Sequence, residues 1–116
     1  MTRPSVLDVI LVELRVGESH DRRPCIVVRT YPDGRFEAFA CSSAWALYDG
    51  QFDFPIPDDD PHFPETGLKR SSYAIERALV SFPPGTRYTR LGSLVGSLAE
   101  RFSDWFGEDL CPAQTR

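Results

Sequence analysis

The 116-residue sequence has few of the features that mark membrane, zinc-binding or disulfide-stabilised proteins. No apolar run approaches the ~20 residues that a membrane-spanning helix needs. The three cysteines have no C-x-x-C spacing, which argues against a disulfide framework and a zinc site. The N-terminus lacks a basic segment followed by an apolar one, so we expect no signal peptide. These absences favour a cytoplasmic protein with reduced thiols and with no membrane segment, metal or cofactor.

Charge is unevenly distributed along the chain. The formal net charge is −4, yet residues 49–66 hold six acidic groups and no lysine or arginine. Residues 67–99 hold five basic groups and one acidic group. A net acidic protein is usually a poor nucleic-acid binder, but here the acid is concentrated in one segment. The total charge therefore does not exclude a polyanionic ligand.

Short β-branched and alternating segments dominate the chain and predict strands. The segment 71–82 fits a helix or a strand by period, and its position between two turns favours a strand. Pro24 suits the first position of a strand, and the prolines near residue 55 favour an edge strand. The predicted strands are Val6–Val16, Pro24–Tyr31, Phe36–Ser43, Gln51–Pro57 and Ser71–Phe82.

Turn signals and one helical pattern complete the prediction. Tyr31–Arg35 predicts a hairpin turn, Asp58–Gly67 a loop and Pro83–Gly85 a turn. Gly107 is a plausible helix stop. We expect a single domain over residues 1–116, mainly β (α+β by count), with a strongly bent antiparallel sheet or barrel and one C-terminal helix. The helix is predicted from apolar residues at helical spacing, namely Leu91, Leu94, Val95, Leu98, Phe102, Trp105 and Phe106.

The stretch HDRRP, residues 20–24, suggests a phosphate site. A guanidinium fixed at Arg23 can hold a phosphate through two parallel hydrogen bonds, and His20 can exchange a proton near neutral pH. The predicted hairpin brings Arg23 close to Ser42 and Ser43, whose hydroxyls would complete a phosphate cradle. The alternatives are charges that simply face water and serines that end a strand by bonding locally to the backbone.

Two further sets of residues have both a functional and a purely structural interpretation, and a third has only a structural one. Lys69 and Arg70 follow the acidic segment and can contact a nucleic-acid backbone, or they lie in a solvated turn. Cys25 and Cys41 are interpreted as core residues. The acidic segment 49–66 is expected to repel RNA if it flanks the site, or to fold away from it.

These signals, taken in order, resemble the MazF/PemK family, the toxins of bacterial type II toxin–antitoxin pairs. A strand like LDVILVEL is followed by Arg-Pro before an apolar strand, as in RRPCIVV. A strand then ends in paired hydroxyl residues, as in ACSS, and a Gly-Leu turn leads to a serine, as in TGLKRSSY. A final helix begins near LGSLVGSL, so the resemblance covers nearly the whole chain.

The resemblance implies a small SH3-like β-barrel that forms a homodimer and cleaves single-stranded RNA without metal. The 2′-hydroxyl would attack the adjacent phosphate and leave a cyclic phosphate. Arg23 would stabilise charge on the phosphate, Ser42 would position it, and His20 would act as acid or base. Glu18 and Asp21 are weaker acid–base candidates. The RNA-binding residues would be Arg22, Ser43, Lys69 and Arg70.

The resemblance also implies a cognate antitoxin protein, and operator DNA bound together with that antitoxin is a further hypothesis. Some members carry an arginine and an aspartate two residues apart on the strand after the Gly-Leu turn. This sequence has Ile75 and Arg77 at those positions. That departure favours an alternative function, a non-catalytic barrel of the same fold that acts as a protein- or nucleic-acid-binding module.

Overall fold

The computed structural model describes residues 3–16 and 19–111, apart from the side chains of Val16, Ser19 and His20. Within these residues, six strands form one antiparallel sheet in the order β4-β5-β3-β2-β1-β6. The predicted mainly β architecture with a C-terminal helix is confirmed. The elements are β1 (Asp8–Val16), β2 (Ser19–Thr30), β3 (Phe36–Ser42), β4 (Phe54–Ile56), α1 (Phe63–Thr66), β5 (Ser72–Phe82), β6 (Tyr88–Ser93) and α2 (Gly96–Phe106).

The sheet curls, and an apolar cluster fills each of its faces. On one face α2 packs its buried Leu98 and Phe102 against strand residues such as Ile26. On the other face, the curvature of the sheet brings its own strands together around the second apolar cluster. Phe36 of β3 stacks on Phe82 of β5 with ring centroids 4.8 Å apart, and it meets Tyr88 of β6 at 6.2 Å. Since β6 lies three positions from β3 in the sheet, this second contact shows a half-closed barrel.

The predicted hairpin between β2 and β3 is confirmed. Gly34 adopts a φ of 96°, which L-residues other than glycine rarely adopt, and its N–H donates to the Tyr31 carbonyl at 3.0 Å. The strands leave this turn in antiparallel register, with Val27 opposite Ala38 and Cys25 opposite Ala40. β4 at the sheet edge, β5 as a strand and the turn after Pro83 also match their predictions.

The predicted start of β2 at Pro24 is wrong. β2 begins at Ser19 and pairs with β1, so that Arg23 lies opposite Val12 and His20 opposite Arg15. The backbone of His20 and Arg22 therefore forms part of a strand and not of a loop. Asp21 and Arg22 are exposed. This polar end of the β1–β2 pair shows none of the apolar alternation by which strands are recognised in a sequence.

The predicted helix also begins too early in the sequence. Leu91 lies in β6, which pairs with β1, and α2 begins only at Gly96. Leu91, Leu94 and Leu98 are spaced as on one face of a helix, so periodicity alone merges the end of β6 with α2. The stop at Gly107 is confirmed by its φ of 86° and by its N–H donating to the Ser103 carbonyl at 2.8 Å. Of the described helices, none has the length and apolar character to cross a bilayer.

The predicted loop 58–67 contains the one-turn helix α1, which ends at Thr66 and is capped by Gly67. Gly67 has a φ of 72°, and a Cβ there would overlap the carbonyl group of Leu91 in β6. Backbone atoms cannot rotate away as a side chain can. Glycine at this position therefore lets the segment after α1 pass closely over β6.

We expect Gly67→Ala to destabilise the protein far more than Gly85→Ala. Both glycines have positive φ, but a Cβ at Gly85 meets nothing within 4 Å. The control should cost about 1–2 kcal/mol for backbone strain alone, and Gly67→Ala about 1–3 kcal/mol more for the overlap. Urea denaturation of the two variants measures the difference. Equal losses of unfolding free energy would show that the close approach to β6 is not a constraint.

Candidate nucleic-acid interface

A surface cleft of about 630 Å³ lies where the ends of β2 and β3 meet the segment after α1. We call it the basic cleft. It is lined by six of the seven residues that the sequence predicted as site residues. The seventh is His20, whose side chain lies outside the described residues. The weaker acid–base candidate Glu18 lies entirely outside them. The six that line the cleft are Arg22, Arg23, Ser42, Ser43, Lys69 and Arg70.

Sheet register explains how Arg23 and Ser42 come together. Cys25 of β2 pairs with Ala40 of β3. Two residues beyond this pair, toward the same end of the sheet, the strands reach Arg23 and Ser42. Antiparallel pairing therefore carries Arg23 and Ser42 to neighbouring positions. On its other side Arg23 is held by pairing with Val12 of β1. The guanidinium is thus attached to the middle strands of the sheet and not to a free loop.

The basic cleft has a charge opposite to that of the whole protein. Among the described residues that line it, four are basic and one, Asp21, is acidic. The chain as a whole has a formal net charge of −4. A concave surface lined by charge of one sign concentrates counter-ions there, so this cleft favours anions.

Arg23 is positioned without the partners that would stabilise it. Its side chain is 40% exposed, and among the described residues its nearest ion-pair partner is Asp21, at 3.9 Å. An exposed pair at this distance contributes little stability. Among the atoms that the structure describes, none accepts a hydrogen bond from the buried Arg23 Nε. An unsatisfied buried donor costs about 1–3 kcal/mol, so fold stability does not explain this placement.

Its neighbour Arg22 is anchored in another way. Arg22 Nη2 donates to Thr89 Oγ1 on β6 at 3.0 Å, across the intervening β1. Lys69 and Arg70 line the cleft from the segment after α1 and are exposed. The two pairs of cations therefore face the cleft from different elements of the fold.

Ser42 keeps a free donor although it bonds locally to the backbone. Its Oγ accepts a hydrogen bond from the Ala44 N–H at 3.0 Å. A hydroxyl has one donor and two acceptor positions, so the Ser42 O–H can still donate to a phosphate oxygen. The local backbone bond fits the structural interpretation of this serine, and the phosphate-binding interpretation stays a prediction. Ser42 ends a strand and it presents a donor beside Arg23.

An aromatic cluster that the sequence reasoning missed holds the end of β3. Trp45, Tyr48 and Tyr73 pack with ring centroids 4.8–5.2 Å apart. The Tyr73 hydroxyl donates to the Ala44 carbonyl at 2.9 Å, and Trp45 Nε1 donates to the Ser71 carbonyl at 3.1 Å. These bonds fix the turn that follows Ser42. The density of aromatic residues around position 45 was the signal available.

Cys25 and Cys41 are core residues, as predicted. Burial raises the pKa of Cys25 to about 12, although the Arg23 charge acts in the opposite direction. Burial, and secondarily the neighbouring Cys25, raises the pKa of Cys41 well above the usual thiol range. A thiol that stays protonated at neutral pH is a poor nucleophile. Cys41 borders the basic cleft, yet it does not supply a thiolate there.

The carboxylates of the acidic segment lie in different parts of the structure. Asp58 and Asp59 are exposed, and Asp60 is buried against α2. By contrast, Asp49 and Asp53 line a second cleft, of about 520 Å³, whose wall includes Arg23 and Ser42. Asp49 and Asp53 thus flank the Arg23–Ser42 site, as the repulsion hypothesis requires, and that hypothesis stays a prediction, whereas Asp60 is folded away against α2.

Comparison of the chain with family models and with curated proteins returns no match. In the part of the chain that the structure describes, no three His, Cys, Asp or Glu side chains are grouped as ligands for a metal ion. Assignment of a function therefore depends on the geometry and charge of the two clefts.

Asp60 is expected to stabilise the fold in a pH-dependent way. Its carboxylate accepts the His62 N–H at 2.8 Å and pairs with Arg101 of α2, and these contacts lower its pKa. A lowered pKa contributes stability above the normal aspartate range, which is lost as pH falls through the folded-state pKa. Asp60→Asn should cost about 1–2 kcal/mol near neutral pH and distinctly less at pH ~3, below the ordinary aspartate pKa.

Urea unfolding at the two pH values measures this difference. The exposed Asp59→Asn is the matched control, because it removes the same charge one residue away. A loss of equal size at both pH values would show that the Asp60 charge is not the source of the stability.

Proposed function

We propose that this chain is a metal-independent endoribonuclease of the MazF/PemK type, built on an SH3-like barrel. The observation that carries the proposal is the placement of Arg23 beside Ser42 in a cleft lined by three further cations. The curled six-stranded sheet with its C-terminal helix suits the barrel part of the proposal. The orphaned Arg23 Nε supports a role for Arg23 other than fold stability.

In this proposal a phosphodiester lies across Arg23 and Ser42. The guanidinium donates to two non-bridging oxygens, and the Ser42 O–H donates to one of them. The ribose 2′-oxygen attacks phosphorus, the bond to the 5′-oxygen of the next nucleotide breaks, and the products are a 2′,3′-cyclic phosphate and a 5′-hydroxyl. Arg23 would act mainly by stabilising negative charge that grows in the transition state.

The reaction also needs a base for the 2′-hydroxyl and an acid for the leaving oxygen. His20 remains our first candidate, with Glu18 as a weaker one. Asp21 lines the basic cleft beside Arg23 and is the alternative within the described residues. Lys69, Arg70, Arg22 and Ser43 would hold the phosphates on either side of the reacting one.

Several partners are proposed on the resemblance alone. They are single-stranded RNA as substrate, a cognate antitoxin protein, operator DNA bound with that antitoxin, and a second copy of this chain in a homodimer. An acidic antitoxin segment would suit the basic cleft by charge.

One observation favours a second candidate function. Ile75 and Arg77, which replace the arginine and aspartate that the resemblance implies, line the second cleft beside Arg23. An apolar side chain there cannot assist a proton transfer or bind a phosphate. This favours a barrel that binds a nucleic acid or a protein at the basic cleft without cleaving it.

We expect Arg23→Ala to slow cleavage of single-stranded RNA by about 10²–10³-fold, the usual effect of losing one donor to a developing negative charge. The assay contains EDTA, because the proposed reaction uses only protein groups. Arg35→Ala is the matched control, since Arg35 pairs with Asp33 at the distant hairpin turn. Its rate should equal that of the unsubstituted protein. Thermal unfolding confirms that both variants fold.

Two results would contradict the enzymatic proposal. One is an unchanged rate in folded Arg23→Ala, and the other is cleavage that requires added divalent cation. A protein that binds RNA through Arg23 but never cleaves it would establish the binding module instead.

A further inference from the structure

The second cleft differs in character from the basic cleft although the two share a wall. We call it the side cleft, and its lining includes Asp49, Phe52, Asp53 and Glu76 together with the shared Arg23 and Ser42. A phosphate held by the shared pair therefore lies at the border of both spaces. The adjoining nucleoside is near enough to enter the side cleft.

The side cleft presents an exposed aromatic ring on a rigid support. The Phe52 side chain belongs to a residue that is 51% exposed. Its backbone is fixed at both ends, because its N–H donates to the Asp49 carbonyl at 3.1 Å and its carbonyl accepts from Trp105 Nε1 at 2.7 Å. An exposed ring held in place gives a flat surface for stacking a nucleobase.

Beside this ring the side cleft offers carboxylate oxygens. Both oxygens of Asp53 are occupied, since they accept the backbone N–H groups of Asp49 and Glu76 at 2.9 and 3.0 Å. The Glu76 carboxylate is exposed and makes no hydrogen bond or ion pair with the described residues. Asp53 thus fixes the loop to β5, and Glu76 is left to accept hydrogen bonds from a ligand.

A carboxylate next to a stacking surface discriminates between nucleobases by their hydrogen-bonding edges. Guanine presents two adjacent N–H donors that match the two oxygens, and adenine and cytosine each present an amino group. Uracil presents one N–H between two carbonyl oxygens, which a carboxylate repels. The Glu76 carboxylate therefore ranks guanine first and uracil last.

We propose that the side cleft binds the nucleobase adjoining the phosphate at Arg23 and Ser42, with Phe52 stacking on the base and Glu76 selecting guanine over uracil. This inference rests on the proposed phosphate site. It assigns to the first part of the acidic segment a role in recognition, where charge alone predicts only repulsion of RNA.

Binding of short 2′-O-methyl oligonucleotides tests the inference, because these probes lack the attacking hydroxyl and are not cleaved. Fluorescence anisotropy compares an all-uridine hexamer with hexamers that carry one guanosine. The best guanosine probe should bind about 10-fold more tightly than the all-uridine probe. Phe52→Ala should weaken binding of the guanosine probe by about 10-fold, since stacking contributes about this much per base. Leu79→Ala is the control, an exposed apolar residue outside the side cleft.

Glu76→Gln separates recognition from simple charge repulsion. Removing a repulsive charge would tighten the binding of every probe alike. The inference predicts effects of opposite sign, with weaker binding of the guanosine probe and tighter binding of the all-uridine probe, because an amide can pair with uracil. The same direction of change for both probes would overturn the inference.

The failure of this inference is distinguishable from the failure of the proposed function. Equal affinity for all probes, with binding abolished by Arg23→Ala, would overturn base recognition and leave the phosphate site intact. Probe binding that does not depend on Arg23, or no binding at all, would overturn both.

Discussion

The antiparallel register of β2 and β3 is the constraint on which the candidate site depends. With Cys25 opposite Ala40, Arg23 and Ser42 reach the same end of the sheet as neighbours. A shift of one residue in this register would turn every side chain of one strand to the other face. The buried residues on both faces of these strands make such a shift unfavourable. Core packing thus fixes the geometry of two polar groups that contribute little to the core.

The distribution of charged side chains then determines which ligands this arrangement can bind. The protein is acidic overall, but its charges are sorted by the fold into a basic cleft and a side cleft with carboxylates. Asp60 is removed from both by its pair with Arg101. Arg23 lines both clefts, so a polyanion bound in the basic cleft lies against Arg23. An unsatisfied Nε and a weak pair with Asp21 leave Arg23 able to exchange its present contacts for a phosphate.

Much of the fold was predictable from local patterns, and the failures have identifiable physical causes. The hairpin at Gly34 and the stop at Gly107 were found because their backbone conformations favour glycine. The early part of β2 was missed because its residues are polar on both faces. β6 was merged with α2 because Leu91 and Leu94 satisfy a helical period, whereas pairing with β1 is not visible in a single sequence. The basic cleft followed from the hairpin, but the side cleft depends on a loop whose path is set by Asp53 and Trp105. Such contacts join residues far apart in sequence and leave no periodic signal.

The most direct test of this account follows the arginine side chains themselves. Two-dimensional ¹H–¹⁵N NMR of the arginine Nε–H groups is recorded while a 2′-O-methyl oligonucleotide is added. The account predicts that the resonances of Arg23 and Arg22 shift and saturate. The resonances of Arg29 and Arg35, held in ion pairs outside the basic cleft, should remain unchanged. Shifts confined to Arg29 or Arg35, with Arg23 unaffected at saturation, would contradict the account.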